Sequence, residues 1–506
     1  MSIRSRVARS ALTVTAAACA AVLLANPAGA AAGTPGAGTI GDPYYPTAGN
    51  GGYHASHYDI RLRYQPATDL LSGTTTILAK ATQDLSSFDL DFALKVQSIY
   101  VNNASATWTQ QGEKLVVKPA GDLANGSDLV VVVQYADTPS QVKVDGFTAW
   151  KKTADGALAI DEPDIAPWWY PSNNHPLDKA TFDVSVAVPD GVAALSNGVL
   201  VRKTKQIDGW TRWNWRSLKP QNTYATFMTV GKFDVHSVIA PNGLPFISAY
   251  GTDIGANTDA AKASVERTPE ILAFESTLFG DYPFEAEGGI VPSSGLGFAL
   301  ENQTRPNYSP NFFRSGANTS VIAHENAHQW FGDSVSVGGW RNIWLNEGFA
   351  TYAEWLWSDH EGEGTPQEIA DYAYSSHASD AALWKVLPGD PGPDNQFDDA
   401  VYTRGALALQ ALRNSVGDAN FFKILQTWTQ TKKYSTGKIE EFIALSEQIS
   451  GKPLYDLFNT WLFTAGKPAT GTSGVAAARA ARAVVAEPKS YQKIEETHRI
   501  LGTPKH

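Results

Sequence analysis

Residues 324–328 read His-Glu-Asn-Ala-His, and residues 344–349 read Trp-Leu-Asn-Glu-Gly-Phe. With 3.6 residues per helical turn, His324 and His328 lie on one face of a helix, where their imidazole nitrogens can hold one Zn²⁺. Glu347, on a second helix, is the expected third ligand and leaves the fourth position for water or substrate. Glu325 is placed to take a proton from a water there, as a general base rather than a ligand.

The same five residues could occur by chance in a helix that carries two surface histidines and a solvated glutamate. The neighbouring sequence favours the metal interpretation, because an apolar lead-in at residues 321–323 precedes the motif and residues 329–332, Gln-Trp-Phe-Gly, follow it. These residues indicate a buried helix, and a second helix then carries the carboxylate. We therefore expect one zinc ion per chain.

Residues 321–333 and 344–352 together resemble the signature of the aminopeptidase N and leukotriene-hydrolase family of gluzincin metallopeptidases. The 18 residues between His328 and Glu347 match that family's spacing. The resemblance extends in the right order over roughly residues 50 to 468. It implies a multidomain α+β protein in which an all-β, sandwich-like N-terminal domain precedes a thermolysin-like, mostly helical zinc catalytic domain.

Further residues take their expected roles from the same resemblance. Residues 298–302, Phe-Ala-Leu-Glu-Asn, resemble the family's Gly-x-Met-Glu-Asn exopeptidase motif, which implies that Glu301 binds the substrate's α-ammonium group and that Ala299 also contacts substrate. Glu162 resembles a second amine-binding position, and Tyr402 resembles the tyrosine that stabilises the transition state. Phe in place of Gly at 298, and Leu in place of Met at 300, predict an altered substrate pocket.

Two residues of the second metal helix are candidates to support the expected ligands. Glu354 lies seven residues after Glu347, on the same helix face, where it can accept a hydrogen bond from a ligating imidazole, although ordinary helix packing explains it almost as well. Asn346 is a second such candidate. The other eight histidines lack paired ligand spacing and are expected to be structural or exposed: His54, His57, His175, His236, His360, His377, His498 and His506.

The periodicity of apolar residues divides the rest of the chain. Residues 49–247 alternate apolar and polar residues in short runs punctuated by Asn, Asp, Gly and Pro, which predicts strands. Residues 248–468 change to a helical period, with a capping box at Thr365-Pro366-Gln367-Glu368. Residues 31–48 are expected to form a flexible leader. Residues 469–506 are rich in small and charged residues, which predicts a disordered or loosely docked tail.

Residues 1–30 have the pattern of a secretory signal peptide, with three early arginines, an apolar stretch and Ala28-Gly29-Ala30 as a cleavage site. The single cysteine, Cys19, lies inside it, so the exported chain would lack disulfides and thiols. The net charge of −11, which loss of those arginines makes more negative, argues against nucleic acid and membrane surfaces as partners. A single transmembrane anchor is the alternative for residues 1–30, but the apolar run is shorter than the roughly 20 residues that a span needs, so stable membrane insertion is not expected.

The sequence therefore predicts a secreted, monomeric zinc aminopeptidase acting on peptides with a free N-terminus. Two enzyme alternatives stay open, a related zinc endopeptidase and a lipid-epoxide hydrolase. A secreted binding protein with a vestigial zinc site is the alternative from another class. The presence of Glu325 and Tyr402 argues against that last possibility, because a vestigial site has no use for a base.

Overall fold

The structure, a computed structural model, describes residues 32–293, 295–474 and 485–501. The expected signal segment, residues 1–30, lies outside the described residues. The strands within the described ranges are β1 Thr34–Pro35, β2 Tyr53–Gln65, β3 Leu70–Ala81, β4 Leu85–Asp91, β5 Val96–Val101, β6 Ala104–Ser105, β7 Thr107–Gln111, β8 Lys114–Lys118, β9 Asp128–Asp137, β10 Lys151–Lys152, β11 Ala157–Ala159, β12 Ala180–Pro189, β13 Ala193–Leu195, β14 Val199–Gln206, β15 Trp210–Gln221, β16 Met228–Gly231, β17 Phe233–Ile239, β18 Pro245–Gly251, β19 Glu287–Val291, β20 Ala299–Leu300, β21 Asn307–Tyr308, β22 Val335–Val337 and β23 Ser435–Gly437.

The helices in the same ranges are α1 Thr258–Val265, α2 Thr268–Phe279, α3 Thr319–Ala327, α4 Trp344–His360, α5 Pro366–Ser376, α6 Gly405–Val416, α7 Asp418–Thr431, α8 Ile439–Ser450, α9 Tyr455–Phe458 and α10 Tyr491–Leu501. Two π-helical segments, Ala400–Arg404 and Asn459–Phe463, precede α6 and follow α9. The expected order of strands followed by helices is confirmed.

The N-terminal half is built from antiparallel and mixed sheets. Among the described residues, eight strands form the largest sheet in the order β14-β15-β12-β2-β3-β9-β5-β6, flanked by two four-stranded sheets. Strand β2 shows why this sequence forms a sheet: alternate residues from Tyr58 to Tyr64 are buried while those between them face outwards. The β-rich fold of this half agrees with the prediction.

The expected domain boundary at residue 247 falls inside β18, within a sheet that continues on both sides of it. Strands β17 and β18 pair with each other and then, through β18, with β19 of the catalytic part, in a sheet ordered β17-β18-β19-β21-β20. The sequences of β17 and β18 continue the series of short strand-like runs, so periodicity alone did not separate the two sheets. The small catalytic sheet therefore starts at Phe233.

The helical domain follows the sequence signals closely. The capping box is present at Thr365, whose hydroxyl accepts from the N–H of Glu368, while the Glu368 carboxylate accepts from the N–H of Thr365 at 2.8 Å. The helix expected to run from residue 258 towards Phe279 is broken into α1 and α2, with Pro269 in the first turn of α2. Both helices pack into the core that surrounds α3 and α4.

The expected flexible leader is instead packed on the molecule. Strand β1 pairs in parallel with β4. Asp42 is buried, and its carboxylate accepts from the backbone N–H of Trp340 at 2.9 Å and lies 3.1 Å from the ring of His175. Asp42, within the expected leader, therefore caps the turn that precedes α4.

The expected loose tail is likewise wrong for residues 485–501, whereas residues 475–484 and 502–506 lie outside the described residues. Helix α10 buries Tyr491, Ile494, His498 and Leu501 against the catalytic core. Their spacing of three to four residues places them on one helix face. Overall composition concealed this face, because the charged residues lie between these positions.

No helix in the described ranges is long and apolar enough to cross a membrane.

Candidate active site

The two metal helices bring the expected ligands together. Nε2 of His324 and Nε2 of His328 lie 3.3 and 3.5 Å from the same carboxylate oxygen of Glu347. The three ligand atoms lie within 4.8 Å of one another, and all three side chains are buried. Two imidazole nitrogens and a carboxylate oxygen that converge in this way form the donor set of a catalytic zinc site. These residues fit a zinc ion.

The outer nitrogens of the two imidazoles are held by different groups. Nδ1 of His324 lies 2.7 Å from the Glu354 carboxylate, and Nδ1 of His328 lies 3.0 Å from the carbonyl oxygen of Phe331. Each contact fixes the ring and directs its Nε2 towards the centre. Glu354 therefore does what the heptad spacing from Glu347 suggested. Asn346 does not; its amide donates to the Tyr224 hydroxyl at 3.4 Å.

Glu325 lies beside the centre without belonging to the ligand set. Its carboxylate lies within 4.8 Å of ligand atoms of both Glu301 and His328. Burial raises the pKa of Glu325 to about 8, opposed by the two histidines and assisted by the charges of Glu301 and Glu347. The same two histidines hold the pKa of Glu347 below its usual range despite its burial. The surroundings therefore favour the protonated form of Glu325 and the charged form of Glu347.

Glu301 reaches the site from the short edge strand β20. The strand pairs with β21 on one side, with Ala299 opposite Tyr308. Glu301 is 2% exposed, and its carboxylate accepts a hydrogen bond from the Tyr224 hydroxyl at 2.9 Å. Tyr224 was not predicted, because nothing in its β-rich neighbourhood distinguishes it from other aromatic residues.

The two residues that differ from the exopeptidase motif, Phe298 and Leu300, point away from the expected metal ligands. Phe298 and Leu300 are buried in the core of the β domain, whereas Ala299 packs into the core around the metal helices. Successive side chains of a strand face opposite sides, so Ala299 and Glu301 share the face opposite to Phe298 and Leu300. The side chains of Phe298 and Leu300 therefore do not line the face of β20 that Ala299 and Glu301 share, and they do not change the shape of a pocket there directly.

Tyr402 lies next to the metal helix on the first π-helical segment. Its ring stacks on that of His324, with centroids 5.9 Å apart and planes at 21°. Burial, followed by the charges of Glu347, Glu162, Glu301 and Glu325, raises the pKa of Tyr402 well above its ordinary value. The hydroxyl therefore keeps its proton and remains a hydrogen-bond donor. Glu162, a buried residue of the N-terminal domain, is among the charges that act on Tyr402.

Close packing fixes the segment that carries Tyr402. The Arg404 guanidinium donates to the carbonyl oxygens of Trp384 and Trp461 at 3.1 and 2.9 Å. A Cβ on Gly405 would lie 3.2 Å from the Cα of Gly348 and closer still to the ring of Trp344, so α6 and α4 meet where neither can carry a larger side chain. Such π-helical turns often occur at functional sites.

The sequence matches two models of one peptidase family. Residues 54–225 match the Peptidase M1 N-terminal domain, and residues 303–461 match the Peptidase family M1 domain. Human glutamyl aminopeptidase is 28% identical over 466 residues, which are 83% of this chain and 47% of that protein. Rice aminopeptidase M1-D is 26% identical over 447 residues, 82% of this chain and 50% of that protein. The chain thus spans about half the length of these curated relatives.

Solved structures agree with this relationship over most of both chains. The M1 zinc metallopeptidase from Deinococcus radiodurans has a TM-score of 0.76 at 29% identity, covering 85% of this chain and 98% of that chain. A mutant of the Deinococcus enzyme, bound to a Tyr-Ser-Ala substrate, has a TM-score of 0.76 at 28% identity and covers 85% of this chain and 99% of that one. This chain belongs to peptidase family M1, whose fold it shares.

Proposed function

We propose that this chain is a zinc-dependent aminopeptidase that removes N-terminal residues from peptides. The observation that carries the proposal is the short distance between Glu301 and the metal side: its carboxylate, that of Glu325 and a ring nitrogen of His328 lie within 4.8 Å of one another. A buried anion at that distance can pair with a substrate α-ammonium group. Such a pair places the first peptide bond, rather than an internal one, against the base.

His324, His328 and Glu347 would hold the zinc, which when bound polarises the scissile carbonyl and lowers the pKa of water. Glu325 takes the proton from the attacking water and returns it to the leaving amine. The Tyr402 hydroxyl donates to the oxyanion that develops on the scissile carbonyl. Two contacts support these roles: the Glu325 carboxylate lies within 4.8 Å of a ring nitrogen of His328, and the Tyr402 ring stacks on that of His324.

The substrate backbone has a place beside β20. In the described part of the chain that strand pairs with β21 alone, so its other edge offers backbone groups to an extended peptide. Ala299 and Glu301 face this space. Glu162 adds negative charge from the opposite domain, as its effect on the Tyr402 pKa indicates. We assign Glu162 to the binding of the substrate amine together with Glu301.

The setting in which the enzyme acts is also part of the proposal. The residue 1–30 pattern supports export through a signal peptide, and mass spectrometry of the exported protein would show cleavage near Ala30. We propose a monomer that acts on peptides with a free N-terminus. Light scattering of the purified chain tests the monomer.

A matched substrate pair tests the activity against its rivals. A peptide with a free N-terminus should be hydrolysed, its N-acetylated form should not, and a chelator should abolish the reaction. Equal hydrolysis of both forms would contradict the aminopeptidase proposal and favour an endopeptidase. Turnover of a lipid epoxide without peptide turnover would favour the epoxide hydrolase, and zinc binding without either activity would favour a binding protein.

A further inference from the structure

The C-terminal helix α10 places one histidine against the support of the metal ligand. His498 is 8% exposed, and its Nε2 lies 2.8 Å from Oε1 of Glu354. The same oxygen lies 2.7 Å from Nδ1 of His324. Both distances are those of charge-assisted hydrogen bonds, so one carboxylate oxygen accepts from two imidazoles. His498 therefore fixes the group that fixes the ligand.

The other ring nitrogen of His498 faces the segment that carries Tyr402. Its Nδ1 lies 3.3 Å from the Thr403 hydroxyl oxygen and 3.7 Å from the Asp399 carboxylate. The Thr403 hydroxyl in turn donates to Asp399 at 2.9 Å. The His498 ring also lies beside that of Tyr402, with centroids 5.8 Å apart. A single side chain thus contacts the supports of two groups proposed to act in catalysis.

Separate contacts secure α10 to both metal helices. The Asn318 amide donates to the Thr497 hydroxyl at 3.0 Å, and the side-chain oxygen of Asn318 accepts from Val321 as the N-cap of α3. On α4, the Ser358 hydroxyl donates to that of Ser490 at 2.7 Å. Because these contacts do not involve His498, the docking of the helix and the action of its histidine can be separated by mutation.

We propose that His498 is a positioning residue for the zinc site. It holds Glu354 in the rotamer that orients His324 and holds the Asp399–Thr403 turn that orients Tyr402. The proposal rests on the proposed zinc site. A carboxylate that supports a ligating histidine usually contributes about 10–100-fold to metal affinity or activity. His498, near the end of the described chain, would support His324 indirectly, through its hydrogen bond with Glu354.

Two variants of similar size separate the hydrogen bond from packing. His498→Leu fills the space without a donor, whereas the amide of His498→Gln places a donor near the original Nε2. Thr497→Val is the matched control, since it removes the contact with Asn318 on the same helix and leaves Glu354 untouched. The three proteins are compared with the unmodified chain for zinc affinity by chelator competition, for kcat and KM, and for melting temperature.

We expect His498→Leu to weaken zinc binding by about 10–100-fold and to lower kcat with little change in KM. His498→Gln should recover most of the zinc affinity, and Thr497→Val should lower the melting temperature alone. Equal zinc affinity in the Leu variant and the control, or no recovery with Gln, overturns the proposal. If His498→Leu does not fold, His498→Asn, whose shorter amide does not reach Glu354, takes its place. If the unmodified chain binds no zinc, the proposed function itself fails.

Discussion

The metal side and the amine side of the site are built in different ways. The metal side draws its ligands and its proposed base from residues 324–347, on two successive helices whose connection contains β22. The amine side combines Glu301 on an edge strand, Tyr224 from the end of the β domain and Glu162 from an earlier loop. A local motif could therefore predict the first side, whereas tertiary folding assembles the second.

The two sides should also affect different kinetic parameters. In the proposed mechanism, metal-side groups surround the reacting carbonyl, so their interactions strengthen as charge develops in the transition state. Amine-side groups contact a charge that does not change during the reaction. Substitutions on the metal side are therefore expected to lower kcat, and those on the amine side to lower binding.

The largest effect is expected from Glu325→Gln. This change removes the base and retains the size of the side chain, so kcat should fall by about 10² to 10⁴-fold. Zinc content should be unchanged, because Glu325 lies outside the three-ligand set. Metal analysis and steady-state kinetics measure both quantities. Loss of zinc in parallel with activity would make Glu325 a ligand and remove the distinction between ligands and base.

Tyr402→Phe is expected to have the next largest effect. The ring and its stacking on His324 are kept, and the donor to the oxyanion is lost. Removal of one such donor lowers kcat by about 10² to 10³-fold, with KM nearly unchanged. Melting temperature and zinc content serve as controls. A fall in melting temperature with a nearly normal kcat would mean that the tyrosine is structural.

The sequence predicted the parts of the molecule that depend on local spacing. The i, i+4 pair of His324 and His328 and the heptad from Glu347 to Glu354 each follow from helix geometry, and the structure shows both. The contributions of Tyr224 and His498 depend on which distant segments pack together, and neither carries a local signal of its role. The same reason explains the packed leader at Asp42, whose partners are distant in sequence.

Substitutions on the amine side are expected to have smaller effects, and Glu301→Gln should have the larger of them. A neutral amide still accepts from Tyr224 but no longer pairs with the substrate ammonium, and loss of one charge-assisted hydrogen bond costs about 1.5–3 kcal/mol. We therefore expect kcat/KM to fall by about 10 to 10²-fold, mainly through KM, with zinc content unchanged. Tyr224→Phe, which removes the partner but keeps the anion, should have a smaller effect in the same direction. Steady-state kinetics on peptides with a free N-terminus checks both variants. If Glu301→Gln lowered kcat as strongly as Glu325→Gln with KM constant, Glu301 would act on the reacting carbonyl, and the two sides would not divide binding from chemistry.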